Sequence, residues 1–90
     1  MRLEDALFNW LQIKIVAEGR PDDEAAFKTL GFFEEILRED HGLQGLEVAS
    51  VDSGLIQVAY EKDGQRFTQH YPREAGEGLL QDIISNPKYN

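Results

Sequence analysis

Ninety residues suffice for one domain with a modest core, burying roughly 60–65% of the surface that the unfolded chain exposes. The chain has no cysteine, so neither a disulfide nor a thiolate metal site helps to hold it, and packing, within the chain or with a second subunit, must do so. Seventeen acidic residues against nine basic ones give a formal net charge of −8, which argues against binding nucleic acid or anionic membrane through Lys and Arg.

Residues 3–18, LEDALFNWLQIKIVAE, predict a helix. Leu3, Leu7 and Trp10 recur at helical spacing with Ala6, Ile13 and Ala17 beside them, while Phe8, Leu11 and Ile15 lie on a neighbouring face. Leu11, Ile13 and Ile15 also alternate with Gln12 and Lys14, so residues 11–17 carry a strand-like pattern as well. The firm helical spacing of the first turns, with no breaker before Gly19, favours helix. Gly19-Arg20-Pro21 ends it. Asp22-Asp23-Glu24 opens the next, because carboxylates satisfy the free N–H groups and positive dipole of a helix N-terminus.

Residues 23–40 predict the clearest helix. Ala26, Phe27, Leu30, Phe33 and Leu37 mark one face, and Phe32 and Ile36 widen the apolar arc. Gly42 follows, where a left-handed cap is expected. Gly31 lies inside the helix at a cost of about 1 kcal/mol relative to Ala. That points to close approach of another backbone, that of the first helix, or to a kink.

Residues 46–71 predict three strands joined by two tight turns. Asp52-Ser53-Gly54 suits a three-residue loop with Gly54 left-handed, placing Leu46, Val48 and Ser50 opposite Tyr60, Val58 and Ile56. A two-residue Ser53-Gly54 loop would slip the register by one and turn Glu47 into the core. Asp63-Gly64 is the stronger turn, since both residues tolerate positive φ. It pairs Tyr60 with Phe67, Val58 with Gln69 and Ile56 with Tyr71. One face then carries Ile56, Val58, Tyr60, Phe67 and Tyr71; the other carries Gln57, Glu61, Arg66, Thr68 and His70, with Ala59 among them. Such a sheet is covered by helices on one side only. Residues 74–85 predict a last helix with Ala75, Leu79, Leu80, Ile83 and Ile84 on one side and a start weakened by Gly76 and Gly78. Asn86-Pro87 stops it, and residues 88–90 form a frayed or docked tail. The fold class expected is α+β: one two-layer domain over residues 1–90, in the order α-α-β-β-β-α, a three-stranded antiparallel meander with helices on one face.

The chemistry is sparse. His70, beside Gln57, Arg66 and Thr68, is a candidate base or ligand contact, but no carboxylate is placed to orient its ring. His41 sits at a helix C-terminus, where the dipole favours a cation; Leu37 and Arg38 occupy the positions one turn away that a second metal ligand would need. Asp22, Asp23 and Glu24 lack the glycine and alternating ligands of a calcium loop and read as a cap. Glu34, Glu35, Glu39 and Asp40 read as a solvated helix face, with Glu34 and Arg38 able to pair, or as an acidic docking face. Ser50 and Ser53 have no nucleophile elbow around them, and the glycines form no phosphate loop. No cofactor or metal is expected.

Phe8, Leu11 and Ile15 on the first helix, with Phe32 and Ile36 on the second, exceed what one sheet covers. Either the helices cover one another or these residues form an interface with another chain, a two-fold dimer being the commonest case. The reading adopted is an acidic, non-catalytic binding or regulatory module that self-associates or binds another protein. The alternatives are a small-molecule binder or small enzyme using the polar sheet face around His70, and an acidic decoy of a nucleic-acid-binding protein. No apolar run approaches the roughly 20 residues of a membrane span. The N-terminal stretch carries Glu4 and Asp5 and no cleavage-site pattern, so the cytoplasm is the expected compartment.

Overall fold

The computed structural model describes residues 1–85, so the expected stop at Asn86-Pro87 and the tail lie outside the described residues. The elements run α1 (Leu3–Gly19), α2 (Glu24–Glu35), a π-helical turn (Ile36–Asp40), β1 (Gln44–Val51), β2 (Leu55–Lys62), β3 (Gln65–Pro72) and α3 (Arg73–Ser85). The strands form one antiparallel sheet in the order β1-β2-β3, and the helices pack against it. This is the α+β meander expected.

Residues 11–17 are helical throughout, and the reason lies in what surrounds them. α1 contacts α2 and α3, and its Leu7, Trp10 and Leu11 join Ile56, Val58 and Tyr60 of β2 in the main core. A helix packed on three sides needs apolar residues nearly all round. Ile13, Val16 and Ala17 are buried in a second cluster with Ala26 of α2 and Ile83 of α3. The wide arc on α1 is thus used inside the domain.

Asp23 caps α2, its carboxylate accepting from the Ala26 N–H at 3.0 Å. Ala26, Leu30, Phe33 and Leu37 turn inward, but Phe27, expected on that face, is 49% exposed. α2 leans on α1, and a single helix covers a narrower stripe than a sheet does. From Ile36 the helix widens into the π turn, ended by Gly42 at φ 70°, whose N–H bonds the Arg38 carbonyl at 3.1 Å.

The close approach expected at Gly31 occurs elsewhere. A Cβ at Gly31 would meet no atom within 4 Å, whereas one at Gly76 would stand 2.7 Å from Ile56 Cδ1 and 3.4 Å from Leu11 Cδ2. Gly76 lets α3 settle on both α1 and β2. The two glycines that weakened the predicted start of α3 therefore lie within it, since α3 begins at Arg73.

The β2–β3 register is the expected one, from Lys62 opposite Gln65 to Ile56 opposite Tyr71, around Asp63 (φ 55°) and Gly64 (φ 78°). The β1–β2 register differs near the turn. Asp52 N–H bonds the Leu55 carbonyl at 3.0 Å, Val51 faces Ile56 and Ser50 faces Gln57. The connection is the two-residue Ser53-Gly54 loop, and Gly54 is not left-handed. A bulge between Val48 and Ser50 then restores Val48 to Val58, and a second between Gln44 and Glu47 contains Gly45 at φ 60°. The bulge cancels the slip, so Glu47 stays off the core face. Ser50 moves to the polar face, where its hydroxyl donates to Gln57 Oε1 at 3.3 Å. Asp52 builds the turn, its carboxylate accepting from the N–H groups of Gly54 (2.8 Å) and Leu55 (2.7 Å). Arg73 holds α3 to it, its N–H bonding the Gly54 carbonyl at 2.9 Å while its side chain bonds Glu77 at 2.7 Å.

Gly31→Ala should stabilise the protein by about 0.5–1 kcal/mol, since it adds helix propensity in open space, whereas Gly76→Ala should destabilise it by about 1–3 kcal/mol through overpacking; urea denaturation measures both. The Gly54 and Leu55 N–H bonds, then the charge of Arg73, hold the Asp52 carboxyl below its ordinary pKa. Its contribution is therefore full above the unfolded carboxylate value of roughly 3.9 and fades as pH falls through the lower folded value. Asp52→Ala should lower the thermal midpoint at neutral pH, with the gap from wild type narrowing in acid.

Candidate functional site

Strand alternation puts Gln57, Arg66, Thr68 and His70 on the face away from the helices. His70 stands opposite Gln57, Thr68 opposite Ala59 and Arg66 opposite Glu61, as expected. Arg66 does not stay with its neighbour. Its guanidinium reaches across β2 to Glu47 Oε1 at 3.0 Å, a partner that sequence reasoning missed because the pair is joined only through the middle strand. Ala59, the small residue between Glu47 and Thr68, is 1% exposed on this otherwise open face. Gln57 is bonded by Ser50. No carboxylate bonds the His70 ring among the described residues. The four residues share a face but converge on no enclosed point, and the charge of Arg66 is already answered. A general base that no described residue orients, on an exposed strand, is poorly placed for catalysis.

The five apolar candidates separate. Leu11 is 0% exposed, its Cδ2 3.4 Å from where a Cβ on Gly76 would stand, and cannot line an outer surface. Ile15 and Ile36 are partly buried against the main core. Phe8 packs on Tyr71 with ring centroids 5.6 Å apart. Burial there, followed by the nearness of Tyr60 and Glu4, raises the Tyr71 pKa. Phe32 alone of the five is largely open, 56% exposed, edge-on to Phe33 at 5.4 Å. The spacing of these five on their helices did not say what covers them: α3 reaches α1 only in the folded chain.

Glu34 does not pair with Arg38. Its carboxylate accepts from the Trp10 indole N–H at 3.2 Å, joining α2 to α1, and Arg38 lies 3.9 Å from Glu39. Lys14 sits over the same indole, 5.7 Å from its centroid. Beside this a concavity of about 480 Å³ opens between the π turn and β1, with Leu37 and Leu43 in its lining and Glu34 and Arg38 among its polar groups. His41 Nε2 donates to the Met1 carbonyl at 2.9 Å. Among the described residues no group of three or more His, Asp or Glu is arranged to hold a metal ion, and no helix is long and apolar enough to cross a membrane.

The remaining feature is an edge. β3 is exposed along its length except at Tyr71, which is half-buried. The two-residue turn makes Lys62–Gln65 a hydrogen-bonded pair, so Gln65, Phe67, Gln69 and Tyr71 bond β2. Arg66, Thr68 and His70 point their backbone N–H and C=O groups outward, and none of these has a hydrogen-bond partner among the described residues. β1, the opposite edge, is broken by its two bulges.

Comparison with known proteins finds no matching family model, curated protein or solved structure. Leu11→Ala should cost about 2–5 kcal/mol by leaving a core cavity, whereas Phe32→Ala should cost about 1 kcal/mol or less; chemical denaturation separates them.

Proposed function

We propose that this chain is a non-catalytic binding module whose docking element is the outer edge of β3. The observation that carries the reading is the unbroken eight-residue edge strand, bulge-free, with the backbone groups of Arg66, Thr68 and His70 turned to solvent. Such an edge is a template for another strand, with affinity supplied by main-chain hydrogen bonds and selectivity by alternate side chains. The opposite edge shows the protections that edges usually carry, two bulges and the charged Glu47. Phe67, 38% exposed and stacked on Tyr60 at 5.5 Å, adds an apolar contact beside the open strand. The polar-face reading has weaker support, because Arg66 is engaged by Glu47 and no carboxylate among the described residues orients His70.

Backbone amide exchange tests the docking element directly. The N–H groups of Arg66, Thr68 and His70 should exchange quickly in dilute protein and slow by at least about tenfold when the partner strand adds. Unchanged exchange at these amides in a bound sample would remove β3 from the interface.

A further inference from the structure

We propose that the strand added at this edge is β3 of a second copy, antiparallel about a two-fold axis at Thr68. The inference rests on the β3 docking element above and names its occupant. An antiparallel pair about that axis sets Thr68 against Thr68 of the second copy, Arg66 against its His70, Phe67 against its Gln69 and Gln65 against its Tyr71. Arg66, Thr68 and His70 are the residues whose backbone groups point outward, and they are spaced symmetrically about Thr68. In this register all of them meet outward-pointing partners, giving about six inter-chain backbone hydrogen bonds. A shift by one residue would set outward groups against inward ones.

Charge selects the same strand. In a chain of net charge −8, two copies repel over most of their surfaces. β3, QRFTQHYP, holds no Asp or Glu, and in the paired register no carboxylate opposes another. Glu47 lies on β1, and its carboxylate is already paired with Arg66 of its own chain at 3.0 Å. The product is one continuous sheet, β1-β2-β3 joined to its symmetry mate, with both helical layers on the same side. A strand-edge contact of this length falls at the small end of stable interfaces, so the dimer should be concentration-dependent.

Light scattering coupled to size exclusion, from about 1 μM to about 1 mM, reads the mass. Wild type should pass from monomer to dimer over that range. Thr68→Pro removes an outward N–H and no β2–β3 bond, so it should stay monomeric with an unchanged circular dichroism spectrum. Thr68→Lys, which sets two ammonium groups at the axis and leaves the backbone intact, should weaken the dimer by at least about tenfold. In a sample mixing labelled and unlabelled protein, an intermolecular contact between the α-protons of Phe67 and Gln69 should appear. A wild type that stays monomeric at the highest concentration overturns the second copy as occupant and leaves the docking reading to its own exchange test. A dimer unaffected by both variants, with the Arg66, Thr68 and His70 amides still exchanging fast, overturns both.

Discussion

Ile56, Val58 and Tyr60 of β2 pack against Leu7, Trp10 and Leu11 of α1, and every other element takes its place around that contact. Fully burying a side chain of this size is worth about 1.5–3 kcal/mol, so this group is a large share of what a small domain has. The central strand and the central helix each have neighbours on both sides: β1 and β3 flank one, α2 and α3 the other. Gly76 completes the arrangement. Its missing side chain lets α3 lie where Ile56, Leu11 and Ile15 meet, so the third helix touches both layers.

The sheet is asymmetric at its two edges, and the asymmetry originates in a turn. Asp52 builds a two-residue loop whose register would point Glu47 inward, and a bulge before Ser50 reverses the slip. A second bulge, containing Gly45, lies beyond Glu47 and interrupts the hydrogen-bonding row of β1 again. The bulge that keeps Glu47 off the core thus also leaves the outer edge of β1 irregular. β3 follows the Asp63-Gly64 turn, which sets the right register at once, so it needs no bulge and stays regular. A continuous row of outward backbone groups is left by a turn that needed no repair.

Much of the fold was legible in the residues. Periods of 3.6 and 2 separated the helices from the strands except over residues 11–17, whose alternation also fits a strand; Asp63-Gly64 fixed β2 against β3, and Asp23 and Gly42 marked the bounds of the second helical stretch. The β1 register was not legible. Choosing between a three-residue loop and a two-residue loop plus bulge balances the hydrogen bonds of Asp52 against the ladder of β1, and both arrangements keep Val48 opposite Val58. The polar face was legible as a list of residues, Gln57, Arg66, Thr68 and His70, but its internal ion pair was not, because Glu47 and Arg66 lie nineteen positions apart and meet only across a third strand.

The amino-acid order by itself determined which residues were apolar, where the chain had to turn, and the succession of three helices and three strands, because these follow from local stereochemistry and short-range spacing. Only the tertiary structure decided which apolar surfaces were spent inside. Leu11 and Phe32 look equivalent as surplus grease on neighbouring helices, yet one is sealed under α3 and the other faces water. That outcome depends on where a helix some sixty residues later comes to rest, set by the fit of Gly76 against Ile56, which no local pattern encodes.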